Sequence, residues 1–362
     1  MTHLEAPVGV LAPPVTEEHY LRFGIRYAGL VASLDDYGIT PFFTHSHTSY
    51  DPELDQFTGI YDVDHQPLVD EASGEAYEAA STGVLRDLTM APATKPLYDG
   101  TSRSRLVHAP EANQTIRDKG KVYTALRELH PVTLLLESTS IAEALDAEVL
   151  AHSPLLVIKP TIGSVSNGIH IGTREELATL QLPPEARYMA QEFIKTSDGI
   201  PNIVEGMHNM RGISIGGKLI GAIARMAGTS HQHMLKDDDF YGHFAEIDTL
   251  PEDMQRILRA AQAWTKTLPG DGNNVLAIDC MYGTNQRGER RSYLGEINYR
   301  PLRISGWNTH EMNPKRVEGG YAGGIQEIAK RWDRAEAAML AGLARAGATL
   351  LPHALSKEQM LH

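Results

Sequence analysis

Two runs late in the chain, one beginning Asp279-Cys-Met-Tyr and the other Gly295-Glu-Ile-Asn-Tyr-Arg-Pro301, flank the polar loop Gln286-Arg-Gly-Glu289. They read as two strands of an antiparallel hairpin, and centring it on that loop sets Asp279 directly opposite Glu296. Side chains alternate between the faces of a strand, so Asn298 shares the face of Glu296. Three hard oxygen donors then converge on one spot. Magnesium takes such donors, usually few of them, with phosphates and waters completing its octahedron. By itself the segment is equally a polar strand pair on a solvated face.

At 362 residues the chain exceeds what one core usually covers, which predicts two or three domains or subdomains. Its hydrophobic content of 42% and charged content of 22% are those of an ordinary soluble globular protein. The net charge of -13 argues against a nucleic-acid partner, because phosphate backbones need a basic surface, yet it leaves room for a local basic site that takes a nucleotide. One cysteine, Cys280, rules out an internal disulfide, and its place in a strand pattern predicts a small buried hydrophobe. Met1 to Pro7 has no basic region followed by an apolar stretch, which predicts no signal peptide, and no apolar run approaches a membrane span. A cytoplasmic protein with no membrane partner is expected.

Val8 to Leu11 reads as a buried strand, and Thr40 to Thr44 as another. Between them Tyr20, Phe23, Tyr27, Leu30 and Leu34 recur at spacings of three and four, so Thr16 to Tyr37 is expected as an amphipathic helix that stops at Gly38. This strand-helix-strand opening implies a small α/β domain with a parallel sheet. Residues 45–105 are rich in Asp, Tyr, Ser, Thr and Gly and yield no clear elements. Further strands are expected at Leu106 to His108, Val132 to Leu136, Pro154 to Pro160 and Tyr188 to Ile194. Helices are expected from Asp118 to Leu129, from Ser140 to Leu150, from Thr173 to Leu180 behind a Thr173/Glu176 capping box, from Pro251 to Leu268, and from Gly324 to Leu343. Gly216-Gly217 between Met210 to Ile215 and Lys218 to Ala224 is a strong hairpin signal.

Lys159 ends a buried strand, and Gly163, Ser164, Ser166, Asn167 and Gly168 follow. Small residues let backbone amides approach phosphate oxygens, and the serine and asparagine side chains add donors. An ordinary polar turn with a solvated lysine fits the same residues. The spacing is neither a Walker loop nor a dinucleotide fingerprint.

Four segments taken in order resemble the ATP-grasp superfamily of carboxylate ligases: Lys159-Pro with Gly163-Ser and Gly168-Ile; Gln191-Glu-Phe-Ile194; Arg211 with the following hairpin and Arg225; and Asp279 with Glu296-Ile-Asn298. They span about half the chain. Glutathione synthetase-like and peptide ligases are the similar members. The resemblance implies an α/β ATP-grasp fold preceded by a small amino-terminal α/β domain, with divisions expected at residues 1–112, 113–190 (a lid-like subdomain) and 191–362 (metal and substrate site). Relatives transfer the γ-phosphoryl group of ATP to a carboxylate, and an amine, or less often a thiol, attacks the acylphosphate. A non-catalytic regulatory ATP-binding protein is the alternative of another class.

Carried onto this sequence, the resemblance implies that Lys121 and Lys159 contact ATP phosphates, with Lys119 competing for the first role. Gln191, Glu192, Phe193 and Ile194 would line the adenine pocket, and Asp198 would take the ribose hydroxyls. Asp279, Glu296 and Asn298 would hold magnesium, two ions of it, with manganese as the alternative. Ser166 departs from the glycine common at its position and would either reshape the loop or donate to the γ-phosphate. Arg211 and Arg225 are the implied catalytic pair. A two-residue turn at Gly216-Gly217 would put Arg211 opposite Ala222 and turn Arg225 to the other face, so either a bulge intervenes or only one arginine touches phosphate.

For substrate, Arg300 and Arg303 are candidates to hold a carboxylate, and His208 and Asn209 to touch the substrate. Residues 226–244 suit a lid over the acceptor amine. The histidines at 231, 233, 45 and 47 lack the further ligands that zinc needs. The implied partners are a small-molecule carboxylate and an amine, amino acids or short peptides, with a homodimer left open. The 45–105 and 226–244 segments match no housekeeping ligase pattern, which points to a specialised peptide metabolite.

Overall fold

The computed structural model describes residues 3–11, 27–44, 49–70, 72–87, 105–107, 109–137, 141–163, 167–226, 241–269, 274–299 and 322–350. The chain divides into two compact units, one comprising Met1–Pro110, Arg303–Trp307 and Ala329–His362, the other Glu111–Leu302 and Asn308–Ile328.

The first unit contains β1 (His3–Leu11), α1 (residues 27–35), β2 (Phe42–Thr44), β3 (Tyr50–Asp51), β4 (Gln56–Thr58), β5 (Ala79–Asp87) and β6 (Arg105–Val107). β2, β1, β5 and β6 run parallel, and β4 and β3 add antiparallel strands along the edge of β5. Val8, Val10, Phe43, Val84 and Val107 pack against Tyr27, Leu30 and Leu34 of α1, the face that the three-and-four spacing predicts. The expected start of that helix, at Thr16, lies outside the described residues.

In the second unit come α2 (Pro110–Arg117), α3 (Lys119–Ala125), β7 (Thr133–Leu135), α4 (Ile141–Asp146), β8 (Leu155–Pro160), β9 (His170–Thr173), α5 (Arg174–Leu177) and β10 (Tyr188–Glu192). They continue with β11 (His208–Ile215), β12 (Lys218–Met226), β13 (Tyr241–Ala245), α6 (Glu252–Thr265), β14 (Val275–Thr284) and β15 (Arg290–Tyr299). Two antiparallel sheets result, ordered β7-β10-β8-β9 and β13-β12-β11-β14-β15. Leu156, Ile158 and Ala190 of the first sheet bury against Ile141 and Ala144 of α4 and Leu177 of α5. Met210, Ile278, Cys280 and Leu294 of the second bury against Met254, Ile257, Leu258 and Ala261 of α6. Cys280 is thus the buried apolar residue expected.

Local signals place several boundaries. Thr173 caps α5 as a capping box: its hydroxyl accepts from Glu176 N–H and its own N–H donates to Glu176 Oε2. The helix expected from Asp118 to Leu129 is broken, with α3 ending at Ala125 and a 3₁₀ turn at Arg127–Leu129. The last helix, α7 (Ala322–Leu350), outruns its expected bounds at both ends. Among the described residues, no helix is long and apolar enough to cross a membrane.

Candidate active site

Asp279 on β14 pairs with Glu296 on β15, and Ala277 with Asn298, as centring on the loop predicts. The register then slips, because Cys280 pairs with Leu294 and Gly295 is an extra residue between them. Beyond the slip, towards the loop, the simple centring is off by one residue. At the acidic end it holds, and Asp279, Glu296 and Asn298 share one face. Asn298 Nδ2 donates to Asp279 Oδ2 and to Glu296 Oε1, at 3.0 Å in each case.

The arginines join that face through a second bulge. Gly216 and Gly217 both have positive φ (54° and 69°), the two-residue turn the sequence predicts. Ser214 then pairs with Leu219 but Ile213 with Gly221, so Ile220 is the extra residue. Gly221 adopts φ 152°, and a Cβ there would lie 2.6 Å from Phe244. The slip moves Arg211 from Ala222 to Ile223 and pairs Arg225 with Asn209, two residues before Arg211. Of the two readings of the arginines, the bulge is the one observed.

Arg211 binds Asp279 bidentately, Nε to Oδ1 and Nη2 to Oδ2, both at 2.7 Å. Arg225 Nη2 donates to the same Oδ2 at 3.0 Å, and Arg225 Nε to Asn209 Oδ1 at 3.2 Å. Asp279 is 2% exposed. Burial opposes its charge, but the two guanidinium groups outweigh that and hold its carboxyl below the usual range. Burial also opposes the charge of Arg211, and Asp279 more than restores it. Arg225, lowered to about 10 by burial, with Asp279 acting against the shift and Arg211 with it, remains cationic at neutral pH.

Two lysines approach from the other sheet and its flanking helix. Lys119, at the start of α3, donates to Gly163 O at 2.8 Å and stands 3.7 Å from Glu296 Oε2. Lys159, on β8, donates to Gln191 Oε1 at 3.1 Å. Burial pulls the Lys159 ammonium down to about 8, Glu296 working against the shift and Lys119 adding to it. Among the described residues, four cations therefore gather with two carboxylates, a formal surplus of two positive charges. Beside Lys159, His130 is buried and lowered to about 3, by burial first and then by that lysine, so it is neutral.

The segment expected to read adenine follows β10. Glu192 N–H donates to Val132 O, Phe193 N–H to Leu155 O, and Lys195 exchanges both main-chain bonds with Thr284. Gln286 Nε2 donates to Phe193 O at 2.9 Å. Ile194, buried between them, makes no main-chain hydrogen bond among the described residues. A free N–H and a free C=O on one hinge residue suit the edge of a nucleobase. Asp198 lies on the same loop, exposed, 3.4 Å from Lys195 Nζ, and its carbonyl accepts from Arg290.

Other expected site residues are not drawn in. Lys121 is exposed and lines a separate groove with Thr124, Leu135 and Arg187; Lys119, two residues earlier, takes the place beside Glu296. His208 is 1% exposed and lies on the core face of β11, because it is an odd number of residues from Arg211. Its Nδ1 lies 3.1 Å from Gly206 O, away from the cluster. Gln191 and Glu192 are buried with their side chains engaged: Gln191 with Lys159 and Thr133, Glu192 with Val132 N–H. Asn167 and Gly168, the end of the segment expected to hold phosphates, are described, Gly168 with φ 73°. Ser164, Ser166, Arg300 and Arg303 lie outside the described residues, as does most of the expected lid.

No three His, Cys, Asp or Glu side chains among the described residues stand together as a metal set. The donors that converge here are two carboxylates and one amide, hard oxygen ligands of the kind that hold magnesium already bound to phosphates. Asp279, Glu296 and Asn298 supply groups of that chemistry; in this structure the Asn298 amide turns its nitrogen to both carboxylates, and both Asp279 oxygens accept from the arginines.

No protein-family model and no curated protein matches the sequence. Solved structures do. D-alanyl-alanine synthetase A from Vibrio cholerae O1 biovar eltor is 15% identical with a TM-score of 0.52, covering 91% of this chain and 98% of that one. The ATP-grasp ligase PsnB complexed with minimal precursor is 12% identical with a TM-score of 0.51, covering 93% and 99%. At such identities the likeness shows the fold.

Proposed function

We propose that this chain, which has the ATP-grasp fold, is an ATP-dependent carboxylate–amine ligase that makes an amide or peptide bond through an acylphosphate and releases ADP and phosphate. One observation carries the reading: among the described residues, Lys119, Lys159, Arg211 and Arg225 gather around just two carboxylates, Asp279 and Glu296, in a chain of net charge -13. A half-buried cationic surplus in an acidic protein calls for a polyanion, and the hinge at Ile194 offers a nucleobase its main-chain groups. Of the two similar structures, one is a synthetase and the other an ATP-grasp ligase by name, which supports the reading.

In this reading Lys119 and Lys159 bind the phosphates and orient the chain of ATP towards the arginines. A carboxylate oxygen of the first substrate attacks the γ-phosphorus and the bond to the β-phosphate oxygen breaks, leaving ADP. The amine nitrogen of the second substrate then attacks the acyl carbon, phosphate departs with the bonding pair, and the nitrogen loses a proton. Arg225 and Arg211 stabilise the charge on the transferring group. Magnesium, when held by Asp279, Glu296 and Asn298, neutralises phosphate charge.

Asp198 is assigned to the ribose and Arg300 to a substrate carboxylate. Amino acids or short peptides as substrates, a specialised peptide product and a cytoplasmic location complete the proposal. The test is phosphate release over a panel of amino acids, singly and in pairs, with hydroxylamine as surrogate amine. Hydroxamate from one acid identifies the activated partner; binding of ATP with no turnover on any acid, amine or thiol would instead mark a regulatory protein.

A further inference from the structure

Gln191 is buried one residue before the end of β10, and its hydrogen bonds have a fixed direction. The Thr133 hydroxyl donates its single proton to Pro131 O at 2.8 Å. It can therefore only accept from Gln191, and Gln191 Nε2 donates to it at 2.8 Å. The other end of the amide is left as an acceptor, Oε1, facing Lys159 Nζ at 3.1 Å. Thr133 is itself held, because Tyr123 OH donates to its carbonyl at 2.7 Å. On the same side, the neutral His130 ring offers Lys159 no counter-charge.

We infer that Gln191 is a positioning residue for Lys159, polarised by Thr133, rather than a lining residue of the adenine pocket. The inference rests on the proposed nucleotide site and deepens it. A neutral acceptor holds one of the three ammonium protons and leaves two for a phosphate. A carboxylate in its place would hold the lysine equally well but neutralise it. Without the Thr133 acceptor, the amide is free to turn its NH₂ towards the ammonium, and the tether is lost. Thr133 and Gln191 thus act on ATP through Lys159 without touching it.

Three variants test this in the full chain: Thr133→Val, which keeps shape and removes the hydroxyl; Thr133→Ser, which keeps the hydroxyl; and Gln191→Glu. Dissociation constants for magnesium-ATP should rise at least tenfold for Thr133→Val and Gln191→Glu and stay within twofold for Thr133→Ser. A second measurement needs no nucleotide. Labelling of Lys159 by an amine-reactive ester, followed by mass spectrometry, should speed up several-fold in Thr133→Val and not in Thr133→Ser. Unchanged labelling in a folded Thr133→Val protein overturns the tether, as does wild-type ATP affinity in both Thr133→Val and Gln191→Glu. If the unaltered protein fails to bind ATP, the proposed function falls, and the labelling result still decides the role of Gln191.

Discussion

Each unit buries an ion pair, and the two pairs differ in what surrounds them. In the first, Arg86 on β5 and Glu336 on α7 are both wholly inaccessible, 2.6 Å apart, and Trp332 Nε1 caps the second carboxylate oxygen at 2.7 Å. Among the described residues this pair is one cation against one anion, and both carboxylate oxygens are bound. In the second, Asp279 accepts from two arginines and an asparagine while Lys119 and Lys159 stand alongside, with Glu296 as the one further carboxylate among the described residues. Burying charge is costly, and a matched, hydrogen-bonded pair is the arrangement that keeps that cost down. An unmatched set persists where a ligand completes it. Balance, rather than burial, separates the structural pair from the site.

The sharpest way to break this contrast is to remove one partner from each. Asp279→Ala should reduce turnover by about a thousandfold, the upper range for loss of an electrostatic stabiliser. It should also destabilise the unit, by about 3 to 5 kcal/mol, because two buried arginines then repel each other. Phosphate release and urea unfolding measure the two effects. Glu336→Gln should cost a similar amount of stability and leave ATP affinity per folded molecule unchanged. Replacing both members of the structural pair, Arg86→Met with Glu336→Leu, should recover most of that loss. The corresponding pair Arg211→Met with Asp279→Leu should recover stability and no activity. Equal recovery of activity at both places would erase the distinction.

How much of the site was legible follows from where regular pairing holds. Asp279 and Glu296 face each other because the extra residue Gly295 offsets a loop centre that lies one register step from the one the sequence suggests. Whether the two arginines meet stayed open between a bulge and a single contact, because nothing in Gly216-Gly217 announces the extra residue at Ile220. Gly221, four residues from Arg225, was the available signal: a glycine inside a strand often marks a bulge. His208 was misplaced by face alone, which alternation from Arg211 would have corrected. Gln191 carried no signal, since its role depends on Thr133, far away in sequence. The strands within 45–105 escaped notice for two reasons: β3 and β4 are two and three residues long and below any periodicity, and the nine-residue β5 begins Ala-Ala-Ser-Thr-Gly, which carries little strand signal. The parallel sheet of the first unit, by contrast, was written in Val8, Val10, Leu30 and Leu34.

An intermediate effect separates stability from affinity through pH. The folded pKa of Lys159 is about 8, against an ordinary value of 10.5. Between those values the unfolded chain holds the proton more tightly, so the contribution of Lys159 to ligand-free stability rises with pH across that window. ATP binding needs the charged form and should weaken over the same window, by up to about tenfold per pH unit. Opposite slopes are expected, from calorimetric titration of ATP and from urea midpoints. Lys159→Met should flatten both.

The smallest effect expected is the most discriminating between neighbours. Lys119 and Lys121 sit two residues apart in one short helix, so they point in different directions around it. Lys119 is 17% exposed, donates to Gly163 O and faces Glu296, which places it between Gly163 and the acidic strand β15. Lys119→Ala should weaken ATP binding by about tenfold or more, the value of one charge-assisted hydrogen bond. Lys121→Ala removes an exposed charge on the groove beside Arg187, where solvent screens it, and ATP affinity should change less than about twofold. Should the order invert, the cationic surplus around Glu296 would owe nothing to Lys119 in the nucleotide-bound protein. The imbalance would then shrink to three cations against two carboxylates, and the contrast with the Arg86–Glu336 pair would narrow accordingly.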